Sequence, residues 1–292
     1  MKWTPGGSSD DIEDRRDDDS GGSGGFKTSG FGAPHLGIGG IIIVGILSLV
    51  FQKNFFQFFS GEPAAIDRPV AGTNRSATPG EAQSVEFVKA VLNDAQGTWD
   101  RLLPEQTGKP YRHAKLVLFR NATQSSCGAA ESATGPFYCP GDEKVYLDLE
   151  FFDELSRRFG APGEFAKAYV VAHEIGHHVQ KVLGIEGKVQ RLRQSNPSQE
   201  NPLSVRLELQ ADCFAGVWAK STEQRKLLDP GDVQSAIGAA AAVGDDKLQR
   251  EATGRVRPES FTHGSSQQRM TWFQNGFNSG QLSACDTFSS GR

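Results

Sequence analysis

The sequence predicts an α+β chain, rich in helix with a small sheet and preceded by one transmembrane helix. Three observations carry that expectation: an uncharged apolar run near residue 40, several segments with apolar residues at three- and four-residue spacing, and only two short strand-like runs. With 292 residues, 37% hydrophobic and 23% charged, the chain holds enough apolar material for a sizeable core. Of the net charge of −4, residues 1–35 account for −3, with four basic and seven acidic side chains. The remainder is nearly neutral and has no basic stripe, so no nucleic-acid partner is expected.

Taken in order, residues 1–35 form an acidic, Gly- and Ser-rich tail with almost nothing to bury, and are expected to be disordered. Residues 36–59 follow with no charge between Lys27 and Lys53. The apolar stretch from Leu36 to Phe51 would cover roughly 24 Å as a helix, which spans a bilayer core only with help from its flanks. A single membrane anchor fits this segment better than a buried core helix, because it is apolar all round and lies between tail and linker. A cleavable signal peptide fits worse, since the preceding tail is long and acidic. Phe55, Phe56, Phe58 and Phe59 form an interfacial aromatic cluster after Lys53. Lys27 and Lys53 nearly balance, so basic residues decide little about orientation. Residues 60–83, rich in Gly, Pro and small polar residues, read as a linker, and 84–292 as the folded domain.

Within that domain, helical spacing marks 84–103, strand-like runs occupy "AKLVLF" (114–119) and "KVYLDL" (144–149), and a helix follows in "FFDELSRRF". Further helices are expected over 163–183, 204–220, 230–243 and 265–278. Residues 184–203 make a long polar connection that either covers a cleft or is mobile. None of the four cysteines has C-x2-C spacing, so they are two disulfides or ordinary buried thiols. The favoured pairing is Cys127–Cys139 and Cys213–Cys285, which would place the domain outside the cytoplasm.

The helix over 163–183 contains "VVAHEIGHHVQ". Phe165, Ala168, Tyr169, Ala172, Gly176 and Val179 share its core-facing side, with His173 and His177 one turn apart at the edge of that face. Two imidazoles so placed can bind one zinc ion, and Glu174, rotated by a further step, can take a proton from water beside it. A helix that merely carries histidines is the plainer reading. His178 points to another face, as a surface residue or one that supports the ligands. A catalytic zinc needs a third ligand, and Glu208 in "SVRLELQADCFAGVWAK" is the candidate. Asp212, four residues on, would accept the other ring N–H of a ligating histidine. Alternatively, Glu208 and Asp212 are solvated acids on an amphipathic helix.

"HEIGHH" followed by "ELQADCFAGVW", with "GPFYCPGDEKVYLD" before and "GDDKLQ" and "FTHGSSQQRMTWFQNGF" after, resembles the bacterial family of neutral zinc metallopeptidases. More distantly the pattern resembles the gluzincins, whose domain is zincin-like. The resemblance implies His173, His177 and Glu208 as ligands of one zinc ion per chain, Glu174 as general base and Asp212 as their support. It also gives a meaning to the six-residue spacing of His263 and Arg269, with Gly264 where a related class of membrane-bound peptidases has proline. His263 would bind the oxyanion, and Arg269 would orient substrate or pair with a buried acid; a helix-terminal histidine and a surface arginine are the other readings. "KVYLDL" would be an edge strand that pairs with extended substrate, or simply a half-buried strand. The expected protein is thus a membrane-anchored, single-pass zinc endopeptidase acting on peptides or proteins, its catalytic domain extracytoplasmic. The alternative is a non-catalytic membrane-tethered zinc-binding or protein-binding envelope protein.

Overall fold

The computed structural model describes residues 1–5, 10–18, 79–132, 135–157, 160–161 and 163–289. A four-stranded sheet has the order β1 (Ile12–Asp14), β2 (Lys115–Phe119), β6 (Lys144–Asp148), β5 (Phe137–Cys139). β1 and β6 flank β2 in parallel, and β5 runs antiparallel to β6. Alternation assigns the two faces: Leu116, Leu118, Val145 and Leu147 enter the main core, whereas Val117, Phe119 and Tyr146 join Ala130 and Cys139 in a second small cluster. Ala130 comes from the hairpin of β3 (Ala122–Ser125) and β4 (Gly128–Glu131), which covers that second face. The Cys127–Cys139 disulfide ties the end of this hairpin to β5.

Three sheet features depart from expectation. Part of the acidic tail is ordered: Leu116 N–H donates to Asp11 O, and Glu13 pairs with Lys144 across the sheet. A strand in this polar segment needs no core of its own, because β2 supplies its hydrogen bonds. β6 is internal, and the edges are β1 and β5. Both faces of β6 are therefore covered, and Tyr146 is as buried as Val145.

The helices follow as α1 (Pro79–Thr107), α2 (Glu150–Arg157), α3 (Glu164–Leu183), α4 (Ile185–Ser195), α5 (Glu200–Gln224), α6 (Asp232–Ala242), α7 (Asp245–Thr253) and α8 (Ser266–Ser279). α1 begins five residues before the expected domain start, and the connection over 184–203 is largely helical rather than a bare loop. Val189 of α4 packs on Leu203 and Leu207 of α5 in a satellite cluster, which explains why this polar stretch is ordered. α8 starts at a capping box, with Ser265 accepting from the Gln268 amide and the Gln268 side chain accepting from the Ser265 amide.

Small residues set the distances between the helices that matter most. A Cβ at Gly176 would lie 2.9 Å from Ala211 O, so α3 and α5 approach backbone to backbone right beside His177. Gly216 and Gly276 do the same for α5 and α8, where any side chain would overlap the facing backbone. The Cys213–Cys285 disulfide then fastens the short C-terminal 3-10 turn, Leu282–Cys285, to α5.

The preceding transmembrane helix, and with it the membrane partner and the single-pass, outward-facing placement, is corrected. Among the described residues no helix is long and apolar enough to cross a membrane. The reason is visible in the longest ones: α1 interleaves buried Val88, Val91 and Leu92 with Glu86, Lys89 and Asp94, and α5 carries Arg206, Glu208, Asp212 and Lys220 along its length. The expected anchor, residues 36–59, lies outside the described residues, as does the linker up to residue 78.

Candidate metal centre

α3 and α5 cross at Gly176 and Ala211, which brings the histidines of one against the acids of the other. His173 Nε2 lies 3.2 Å from Glu208 Oε2, and His177 Nε2 lies 3.6 Å from Glu208 Oε1. One atom from each of these three residues fits within a 4.8 Å span, a group that could hold a metal ion. The set of two imidazole nitrogens and one carboxylate suits zinc and leaves room for a fourth ligand.

The remaining ring nitrogens are held from behind. His173 Nδ1 is 2.8 Å from Asp212 Oδ1, and Asp212, fully buried, also receives Arg269 Nε at 2.8 Å and Arg269 Nη2 at 3.0 Å. Tyr169 donates its hydroxyl to the same Asp212 oxygen and accepts from Arg269 Nη2. Arg269 is therefore a buried partner of the acid, not a surface arginine. His177 Nδ1 is 2.9 Å from Gln180 Oε1. Each histidine thus has its Nε2 turned towards Glu208.

The electrostatics follow from this crowding. Burial opposes charge on His173, but the Asp212 and Glu208 carboxylates outweigh it and push the imidazole up to about 10. Burial likewise opposes charge on Glu208, yet the two imidazoles hold it well below the usual carboxylate range. A metal ion bound by these groups competes with protons for them, so its affinity depends on pH. Glu174 is different: burial raises its pKa, and the nearby imidazoles only partly offset the effect. A carboxylate at 7% exposure, shifted towards neutrality, is suited to accepting a proton.

His263 sits in the loop before α8, half-exposed, and Asp245 at the start of α7 holds it there. One Asp245 oxygen accepts the backbone amides of Thr262, His263 and Gly264, and the other lies 3.2 Å from His263 Nδ1. Partial burial opposes protonation of His263, but the Asp245 contact and the Glu208 charge prevail and raise its pKa. Gly264 takes φ +93°, and a side chain there would press on Leu209 and Val205 of α5. The positive φ, which proline cannot adopt, explains glycine at this position next to the histidine.

His178 is neither at the surface nor a support for the ligands. It is fully buried on the opposite side of α3, where Nδ1 meets the Tyr138 hydroxyl at 2.9 Å and Nε2 meets Arg112 O at 2.7 Å. Burial keeps its pKa below the ordinary value, so this imidazole is a neutral pin between α3, β5 and the segment before β2. Sequence reading also missed Gln180 and Asp245 as site residues. Gln180 could have been found from its three-residue spacing to His177; Asp245, eighteen residues from His263, offered only an acid after a glycine.

A family model described as "Putative neutral zinc metallopeptidase" matches residues 1–288 of the chain. Among curated proteins, the uncharacterized protein YpfJ of Escherichia coli is 46% identical over 291 residues, 99% of both chains. The uncharacterized proteins Mb2605 of Mycobacterium bovis and Rv2575 of Mycobacterium tuberculosis are each 45% identical over 213 residues, covering 69% of this chain and 70% of theirs. No solved structure matches.

Proposed function

The chain belongs to the neutral zinc metallopeptidase family, and from that premise we propose that it is a zinc-dependent endopeptidase that cleaves peptide bonds with water. The observation that carries this reading is the convergence of His173, His177 and Glu208 within 4.8 Å, with Glu174 buried beside them. One zinc ion per chain held by these three residues would supply Lewis acidity, lowering the pKa of a water molecule and polarising the scissile carbonyl.

Glu174 then takes a proton from the attacking water and returns it to the leaving amine, a task its raised pKa suits. His263, aimed by Asp245, donates from its ring to the oxygen on which negative charge develops. Asp212 fixes His173 in the tautomer with a free Nε2, while Arg269 and Tyr169 keep Asp212 ionised in its buried position. β6 lies inside the sheet, so an extended peptide has no free edge on it to pair with, and the strand role the sequence suggested for it is set aside.

A Glu174→Gln variant separates this reading from a non-catalytic zinc-binding protein. The variant is expected to bind zinc like the wild type and to lose peptide hydrolysis by a factor of about 100 or more. Hydrolysis at the wild-type rate in the zinc-loaded variant would overturn the assignment.

A further inference from the structure

We propose that a directional relay of two buried carboxamides, Gln180 and Gln210, sets the orientation of His177, and that the Cys213–Cys285 disulfide reinforces it by anchoring the relay's far end. The inference rests on the reading of His177 as a metal ligand. Gln180 and Gln210 are almost fully buried, at 1% and 4% exposure, so neither can turn to solvent for a substitute partner. Gln180 Nε2 has two hydrogens and two acceptors, Leu207 O at 2.7 Å and Gln210 Oε1 at 3.1 Å. Its Oε1 is left to accept from His177 Nδ1 at 2.9 Å. Gln210 Nε2 donates in turn to Cys285 O at 2.9 Å.

Direction is what makes this more than a contact list. The two terminal groups, Leu207 O and Cys285 O, are backbone carbonyls and can only accept. Each carboxamide must therefore point its NH₂ towards a carbonyl, and turning either one would set oxygen against oxygen. The polarity propagates to His177, whose Nδ1 must carry a hydrogen, leaving the Nε2 lone pair to face the cleft. Cys285 O is held in place by the bond from Cys285 Sγ to Cys213, which directly follows Asp212 on α5, the helix that carries Glu208. Gln180 and Gln210 are positioning residues, and the disulfide is their anchor.

The experiment is a competition titration of zinc against a chromophoric chelator, with full-length wild type, Gln180→Met, Gln210→Met, the double variant Cys213→Ser/Cys285→Ser, and the combination of that double variant with Gln210→Met. Gln180→Met is expected to weaken zinc by about 10- to 100-fold, the usual effect of removing a group that orients a ligand. Gln210→Met should weaken it less, because Leu207 O still directs Gln180. Removing the disulfide from the Gln210→Met protein should cost no further affinity, since both changes cut the same relay. Removing the other disulfide, with Cys127→Ser/Cys139→Ser, should leave zinc affinity unchanged even where thermal stability falls. Should the disulfide variants fail to fold, Gln180→Met and Gln210→Met carry the test, with the bound nitrogen of His177 read by long-range proton–nitrogen NMR. Zinc binding by wild type with equal affinity in Gln180→Met would overturn the relay alone. No zinc binding by wild type would overturn the metal-site reading and the relay with it.

Discussion

Behind His173 stand a carboxylate, a guanidinium and a phenol; behind His177 stand two carboxamides and two backbone carbonyls. Both arrangements turn Nε2 to the same carboxylate, but they do so by different physics. The first uses full charges in a dry interior, where each charge is tolerable only because its partner is present. The second uses dipoles, each saturated, which cost little to bury once every hydrogen has an acceptor. The charged arm should therefore fail abruptly when one member is lost, and the neutral arm gradually.

The largest expected effect is that of Asp212→Ala. It strands Arg269 at 4% exposure without its carboxylate, and unfolding should become easier by about 3–5 kcal/mol, measured in urea. Asp212→Asn keeps the shape and should cost less stability, while zinc affinity still falls by about 10- to 100-fold because the ring loses its anionic acceptor. Gly176→Ala comes next. The added methyl meets Ala211 O, pushes α3 from α5, and should cost about 1–3 kcal/mol while loosening both arms together. If Asp212→Ala and Gln180→Met lost equal stability, the contrast between charged and neutral arms would collapse.

Of the same kind, but outside the metal-binding group, is the salt-linked histidine that fastens β1. His113 lies 2.6 Å from Asp11 and 2.9 Å from Asp100. Partial burial opposes protonation, but the two carboxylates prevail and its pKa is raised. A raised folded-state pKa means the stabilisation is fully present below the unfolded value, about 6.5, and is lost as pH rises through the folded value. Hydrogen exchange at the Leu116 amide, which donates to Asp11 O, should therefore lose protection above that pH in wild type, after correction for intrinsic rates, but not in His113→Gln. This is the smallest predicted effect, because His113 is 42% exposed and solvent screens the pairs.

What the sequence made legible was local. The helix bearing His173, Glu174 and His177, the helix bearing Glu208 and Asp212, and the Cys127–Cys139 bridge across one loop follow from local spacing, whereas Cys213–Cys285, 72 residues apart, was favoured only as the remaining pair. What it hid depends on chain segments far apart. β1 finds its partner some hundred residues away, and Asp245 gathers three amides from a loop beyond its own helix. The position of β6 in the sheet interior required both neighbours to be placed, which periodicity within β6 could not do. His178 was misplaced for a related reason: its wheel position correctly points away from the ligands, but only the packing of β5 reveals that the far side of α3 is also interior.

The central claim, that two helices crossing at Gly176 assemble a zinc site, is tested most directly by metal content. Purified full-length protein and its Glu208→Ala variant, reconstituted in parallel and freed of loose metal, would be compared by elemental analysis. The account predicts about one zinc per chain in wild type and a large loss in the variant. Wild-type protein that retains no zinc, or a variant that retains as much as wild type, would contradict it.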